Sequence, residues 1–210
     1  MNDESSGDTG RQRIRARVEQ SLRPLTLPNF LTMLRMAMVP FFVISVNERE
    51  FRLALWTFLV AGITDTLDGY LARRLAMRSR IGAYLDPIAD KILITCAYVA
   101  LTVPQGQLVV IPLWLTIIAL FRDFLIMVVA LVLYLVEGLR HFPPSILGKL
   151  TTTMQVVTIT VVLLANLAVV PDWLPPTCFY TSFILVIVSG FNYIYRIGRM
   201  LEEKRQDRQP

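Results

Sequence analysis

The 210-residue chain is 54% hydrophobic and carries 21 Lys and Arg against 16 Asp and Glu, a formal net charge of +5. Its mean hydropathy of +0.53 leaves too little polar surface for a water-soluble domain, so a polytopic membrane protein is predicted. Orientation in the membrane accounts for the excess of positive charge, and no nucleic-acid partner is predicted.

Residues 1–10 are rich in Ser, Gly and Asp and predict a disordered N-terminus. They do not resemble a cleavable signal peptide, which needs a basic start followed at once by an apolar run. Residues 11–26 set Ile14, Val18 and Leu22 at helical spacing among Arg11, Arg13, Arg15, Arg17 and Arg23. This predicts a short amphipathic helix on an anionic membrane surface, or arginines that only set orientation.

Six apolar segments follow, near 29–46, 52–75, 81–103, 108–136, 150–170 and 177–195. They are predicted as transmembrane helices in an all-α fold, because backbone polar groups cannot stay unpaired in hydrocarbon. Pro40, Pro87 and Pro112 are expected as tolerated kinks. The N-terminal segment, the Arg73–Arg80 loop, the loop around Arg140 and Lys149 and the tail from Arg196 hold most of the basic residues. The alternate loops hold only Arg49 and Arg52. Basic loops stay in the cytoplasm, so both termini are predicted there. Residues 27–197 are expected to form one six-helix domain and residues 198–210 a charged cytoplasmic tail.

Cys96 and Cys178 lie in apolar runs far apart and read as small buried hydrophobes. His141, the single histidine, is expected in a solvated loop.

Between Asp65 and Asp90 the oily chain carries four aspartates. Asp65 and Asp68 are three apart, and Asp86 and Asp90 four apart, so each pair shares a helix face. A buried carboxylate costs about 2.5–3.5 kcal/mol at a helix centre, and four together add mutual repulsion. Arg73 and Lys91 supply at most two compensating charges. Two divalent cations would supply the rest, and carboxylate oxygen suits Mg²⁺, Mn²⁺ and Ca²⁺. Paired metals suit a displacement at phosphorus. Taken singly, Gly69 and Gly82 could merely let helices approach closely, and Arg73 could be an orientation charge.

The whole pattern reads D-x2-D-G-x2-A-R-x8-G-x3-D-x3-D, filled without departure by Asp65, Asp68, Gly69, Ala72, Arg73, Gly82, Asp86 and Asp90. It resembles the signature of the CDP-alcohol phosphatidyltransferase family. The resemblance implies a Mg²⁺- or Mn²⁺-dependent transfer of the phosphatidyl group from CDP-diacylglycerol to an alcohol, with CMP leaving. It makes Asp65, Asp68, Asp86 and Asp90 ligands of two metal ions, with Asp90 also the general base. Gly69, Ala72, Arg73 and Gly82 would line the CDP pocket. The segment entering the first span also resembles the family, so Asn29, Thr32 and Arg35 are candidates for holding CDP. The alternatives there are a helix cap at Asn29 and a snorkelling Arg35. The resemblance further implies a homodimer among membrane lipids, in a bacterial-type inner membrane with its active site facing the cytoplasm.

The signature reports the CDP half only. Glycerol 3-phosphate is taken as the acceptor, with phosphatidylglycerol, hence cardiolipin synthesis, as the alternative. Both are anionic, and Arg122, Lys149, Arg78 and Arg80 are candidates for the acceptor phosphate. Arg122 is followed by Asp123, and the two could form only a neutralised structural pair. Two rivals are an intramembrane prenyltransferase, which needs a second aspartate-rich motif, and a divalent cation transporter. A transporter would have no use for the fixed spacing of Gly69, Ala72, Arg73 and Gly82.

Overall fold

The computed structural model describes residues 27–74, 80–137 and 146–206, with side chains at 33–64, 91–129, 146–195 and 198–199. Among these there are six helices and no strands: α1 (Leu27–Asn47), α2 (Phe51–Arg74), α3 (Arg80–Thr102), α4 (Leu113–Glu137), α5 (Ile146–Asn166) and α6 (Leu174–Gln206). The all-α expectation holds. The predicted disordered segment 1–10, the predicted amphipathic segment 11–26, His141 and the last four residues lie outside the described residues.

The ends of α1 and α5 are built alike. After α1, Arg49 N–H donates to Val46 C=O at 3.0 Å and Glu50 N–H to Ser45 C=O at 2.9 Å. After α5, Ala168 N–H donates to Ala165 C=O and Val169 N–H to Leu164 C=O. This doubly bonded C-cap needs a left-handed residue, a place usually taken by glycine. Here Arg49 (φ 63°) and Ala168 (φ 55°) occupy it.

Three helices depart from the sequence reading, and the last of them, α6, runs on to Gln206 rather than ending near 195, into the segment expected as a charged tail. The fourth helix starts at Leu113 rather than near 108. Residues 103–112 are apolar but irregular, and Ile111 N–H donates back to Leu101 C=O at 3.0 Å. Pro112 therefore does not kink a helix; its carbonyl accepts from Leu115 and Thr116 and opens α4. The fifth helix runs Ile146–Asn166 rather than 150–170, because the left-handed Ala168 ends it. Pro40 does lie inside α1.

The chain forms two compact units, residues 1–44 with 56–93, and residues 45–55 with 94–210. In the first, α1 meets α2 through Phe42 and Phe58, whose ring centroids are 5.9 Å apart and tilted by 49°. Val39, Ala61 and Leu93 are also buried there. In the second, α6 packs on α5 and on α4, around Leu101, Leu115, Ile159, Leu163 and Val186. Trp114 of α4 stands edge-on to Phe183 of α6, with centroids 5.5 Å apart.

Large apolar side chains also cover the outside. Phe121 and Phe124 on α4 and Ile184 and Phe191 on α6 are all more than half exposed, a surface that water would not tolerate and lipid would. Ile146–Asn166 and Leu174–Tyr195 are each long and apolar enough to cross a membrane. Shorter apolar helical stretches cover Met33–Asn47, Phe51–Thr64 and Lys91–Thr102. The protein is a membrane protein.

Candidate active site

The eight motif positions fall on two helices of the first unit. Asp65, Asp68, Gly69, Ala72 and Arg73 lie in the C-terminal half of α2, and Gly82, Asp86 and Asp90 in the first three turns of α3. Both carboxylate pairs therefore have the helical backbone that their spacing requires. The motif side chains themselves lie outside the described residues, as do those of Asn29, Thr32 and Arg80, and the whole of Arg78.

The described residues bordering the motif are Thr64 and Lys91. Thr64 Oγ1 donates within its own helix to Val60 C=O at 2.8 Å and Ala61 C=O at 2.9 Å. Its hydroxyl is thus held against the α2 backbone immediately before Asp65. Lys91, directly after Asp90, is half-buried. Arg35 of α1 is fully buried at 0% exposure and, among the described residues, is the largest side chain so enclosed. A snorkelling arginine would keep its head in the polar region, so burial favours a role inside the first unit.

The described basic candidates for the acceptor lie in the second unit. Arg122 sits mid-way along α4 at 8% exposure. Its Nη1 donates to Asp123 Oδ1 at 2.8 Å, and its Nη2 donates to Ser189 Oγ on α6. Much of its guanidinium is thus already engaged. Lys149, in the first turn of α5, is exposed, and no hydrogen bond or ion pair joins it to Arg122 among the described residues.

A second set of polar residues had escaped the sequence reading. Thr151, Gln155 and Thr158 recur on one face of α5, and Ser182, Ser189 and Tyr193 on one face of α6, all buried. Thr158 and Ser182 bond through their hydroxyls at 2.7 Å. Thr151 Oγ1 donates to Leu185 C=O at 3.2 Å and Tyr193 OH to Ile126 C=O at 3.3 Å. Thr102 of α3 bonds Thr116 of α4, and Asn166 clasps both the N–H and C=O of Val109. The signal was legible as small polar residues at helical spacing within apolar runs, a recurrent form of interhelical contact in membranes.

Among the described residues no three His, Cys, Asp or Glu side chains converge; the motif aspartates are not among them. Cys178 is buried and Cys96 half-buried, and neither is in a disulfide.

A helical membrane protein with this eight-position motif on consecutive helices matches one known class. The family model for CDP-alcohol phosphatidyltransferase matches residues 25–191. The chain belongs to the CDP-alcohol phosphatidyltransferase family. It is 33% identical over 196 residues to a CMP-forming cardiolipin synthase of Homo sapiens, covering 84% of this chain and 62% of that protein. It is 33% identical over 210 residues to a probable phosphatidylglycerophosphate synthase of Mycobacterium tuberculosis H37Rv, covering 95% and 91%. A CDP-diacylglycerol--glycerol-3-phosphate 3-phosphatidyltransferase of Bacillus subtilis is 30% identical over 184 residues, covering 80% and 92%. The chain thus spans less than two thirds of the human relative and nearly all of the bacterial ones.

Proposed function

We propose that the protein acts in phospholipid biosynthesis, moving the phosphatidyl group of CDP-diacylglycerol onto the hydroxyl of glycerol 3-phosphate and releasing CMP. The observation that carries this reading is the complete motif, divided between the C-terminal half of α2 and the N-terminal half of α3. The acceptor hydroxyl attacks the phosphorus attached to diacylglycerol, the bond from that phosphorus to the CMP oxygen breaks, and Asp90 takes the hydroxyl proton. Gly69, Ala72 and Gly82 leave room for the nucleotide, and Arg73 pairs with the diphosphate. Arg35, with Asn29 and Thr32, is assigned to the CDP moiety.

An all-carboxylate donor set at helical spacing fits hard divalent cations, so Asp65, Asp68, Asp86 and Asp90 are assigned as ligands of two Mg²⁺ or Mn²⁺ ions. Such ions, when bound, supply charge neutralisation at the phosphate oxygens. Arg78, Arg80, Arg122 and Lys149 are the basic residues offered to the acceptor phosphate. The cardiolipin synthase among the relatives supports phosphatidylglycerol as the second reading of the acceptor. In the arrangement proposed, 27–197 forms one domain of six spans, both termini face the cytoplasm, and the enzyme works as a homodimer in an inner membrane. Residues 11–26 lie on that membrane's cytoplasmic surface.

The test is purified protein with CDP-diacylglycerol, Mg²⁺ and each acceptor in turn. CMP should appear with glycerol 3-phosphate, stop on chelation and return with Mg²⁺ or Mn²⁺. Release with phosphatidylglycerol alone would move the assignment to cardiolipin synthesis. Failure with every alcohol would overturn the transferase reading.

A further inference from the structure

Residues 103–112, between α3 and α4, are arranged inside-out for a loop in water. Two polar side chains turn onto its backbone. Gln107 Nε2 donates to Val103 C=O at 3.0 Å, and Gln107 Oε1 accepts from Gln105 N–H at 2.8 Å. Asn166 of α5 bonds both the N–H and the C=O of Val109, and Ile111 N–H is committed to Leu101 C=O. Apolar side chains face outward instead, with Leu108 77% exposed and Val103 47%. Water favours the opposite arrangement, whereas irregular backbone at a membrane must find its partners within the protein.

The same segment walls an open groove of about 400 Å³, lined by Val103, Pro104, Val110, Ile111, Pro112 and Leu113. The one polar side chain in the lining, Thr102, already bonds Tyr98 C=O at 2.7 Å and Thr116 Oγ1 at 2.5 Å. The walls therefore offer water little to bond. Leu113 carries the groove onto the outer face of α4, where Ile117, Phe121, Phe124 and Val128 follow at helical spacing, all exposed. In a membrane protein that apolar stripe faces lipid, and the groove is continuous with it. We propose that the groove seats an acyl chain of a bilayer lipid. The upper part of the chain lies among Val103, Val110 and Leu113, and the rest follows the α4 stripe. None of the lining residues belongs to the eight-position motif, so the chain is that of a surrounding lipid rather than of the substrate. This occupant also accounts for a run, 108–112, that is apolar without being helical.

The wild-type protein in liposomes tests this, with a phospholipid carrying a photoactivatable diazirine in the upper half of one acyl chain. After irradiation and digestion, adducts should fall on Val103, Val110 and Leu113 as well as on Ile117 of the open face. A water-soluble diazirine supplied on both sides should mark the exposed Glu48 and Glu50 and spare the groove. Acyl adducts on Ile117 with none on Val103 or Val110 would overturn the proposal, a second copy of the chain then covering the groove. Marking of Val103 and Val110 by the soluble reagent would overturn it too, the groove then holding water. Val110→Phe fills the groove from its own wall. It should lower acyl adducts at Val103 and Leu113 several-fold and leave those at Ile117 unchanged. Equal labelling of Val103 and Leu113 in variant and wild type would mean that the lipid only passes over the surface, which again overturns the seat.

Discussion

Asp90 is the first residue whose role can be separated from those of its neighbours. It follows Asp86 by one turn on α3 and precedes the half-buried Lys91, so Asp90→Asn keeps the size and polarity of the side chain while removing its basicity. CMP release should fall by about 10²–10⁴-fold, with the thermal midpoint of the purified protein nearly unchanged. Near-normal turnover would take the proton from some other group. Arg122 allows a sharper division. Removing one partner of a buried pair leaves an uncompensated charge, so Arg122→Met should cost about 3–5 kcal/mol. Adding Asp123→Leu should recover most of that stability. If the doubly substituted protein is stable yet has a raised KM for glycerol 3-phosphate, Arg122 touches the acceptor. If its KM is unchanged, the pair serves only to hold α4 against Ser189 of α6.

At the scale of the helices, hydropathy located the first three to within one or two residues, because apolar runs there end at polar or charged loops. It failed where an apolar run leaves the helix. Residues 108–112 are oily enough to span, yet Ile111 is bonded to Leu101 and Val109 to Asn166, interactions that no local window contains. Leu167–Val170 is equally apolar, but Ala168 has turned left-handed. That turn gives a direct prediction. An L-residue in this conformation is strained by roughly 1–2 kcal/mol, while glycine adds unfolded-chain entropy. Ala168→Gly should therefore raise stability by about 0.5–1 kcal/mol, measured as the midpoint of thermal or denaturant unfolding in detergent. The same change at Arg49 also removes a side chain whose guanidinium packs against Gly106, which is itself left-handed at φ 82°. The placement of the carboxylate motif on two helices, in contrast, was legible in sequence, because its spacings of three and four residues are helical. The buried hydroxyls were not read, since a threonine in an oily run looks the same whether it bonds its own helix or another.

For the whole molecule, the distribution of basic loops makes a topological claim. The two loops joining α1 to α2 and α3 to α4 contain few basic residues, and Trp114 and Trp173 stand beside loops on that same predicted side, as expected of an interfacial belt. In intact cells, after replacement of Cys96 and Cys178, Gln105→Cys should react with a membrane-impermeant maleimide, and Ser79→Cys only after the membrane is opened. The reverse pattern would invert the orientation and put the carboxylate motif on the wrong side for cytoplasmic CDP-diacylglycerol chemistry.

The length of α6 has a consequence for the lipid around it. At about 1.5 Å per residue, its 33 residues reach about 50 Å, against a hydrocarbon thickness of roughly 30 Å. The apolar part, Leu174–Tyr195, matches that thickness almost unaided, and α5 is of similar span. Because Thr158 and Ser182 join the two, a thinner bilayer cannot be met by one helix leaning alone. The pair must lean together, carrying the charged end of α6 with it, so the chain length of the surrounding lipid becomes a mechanical input to the protein.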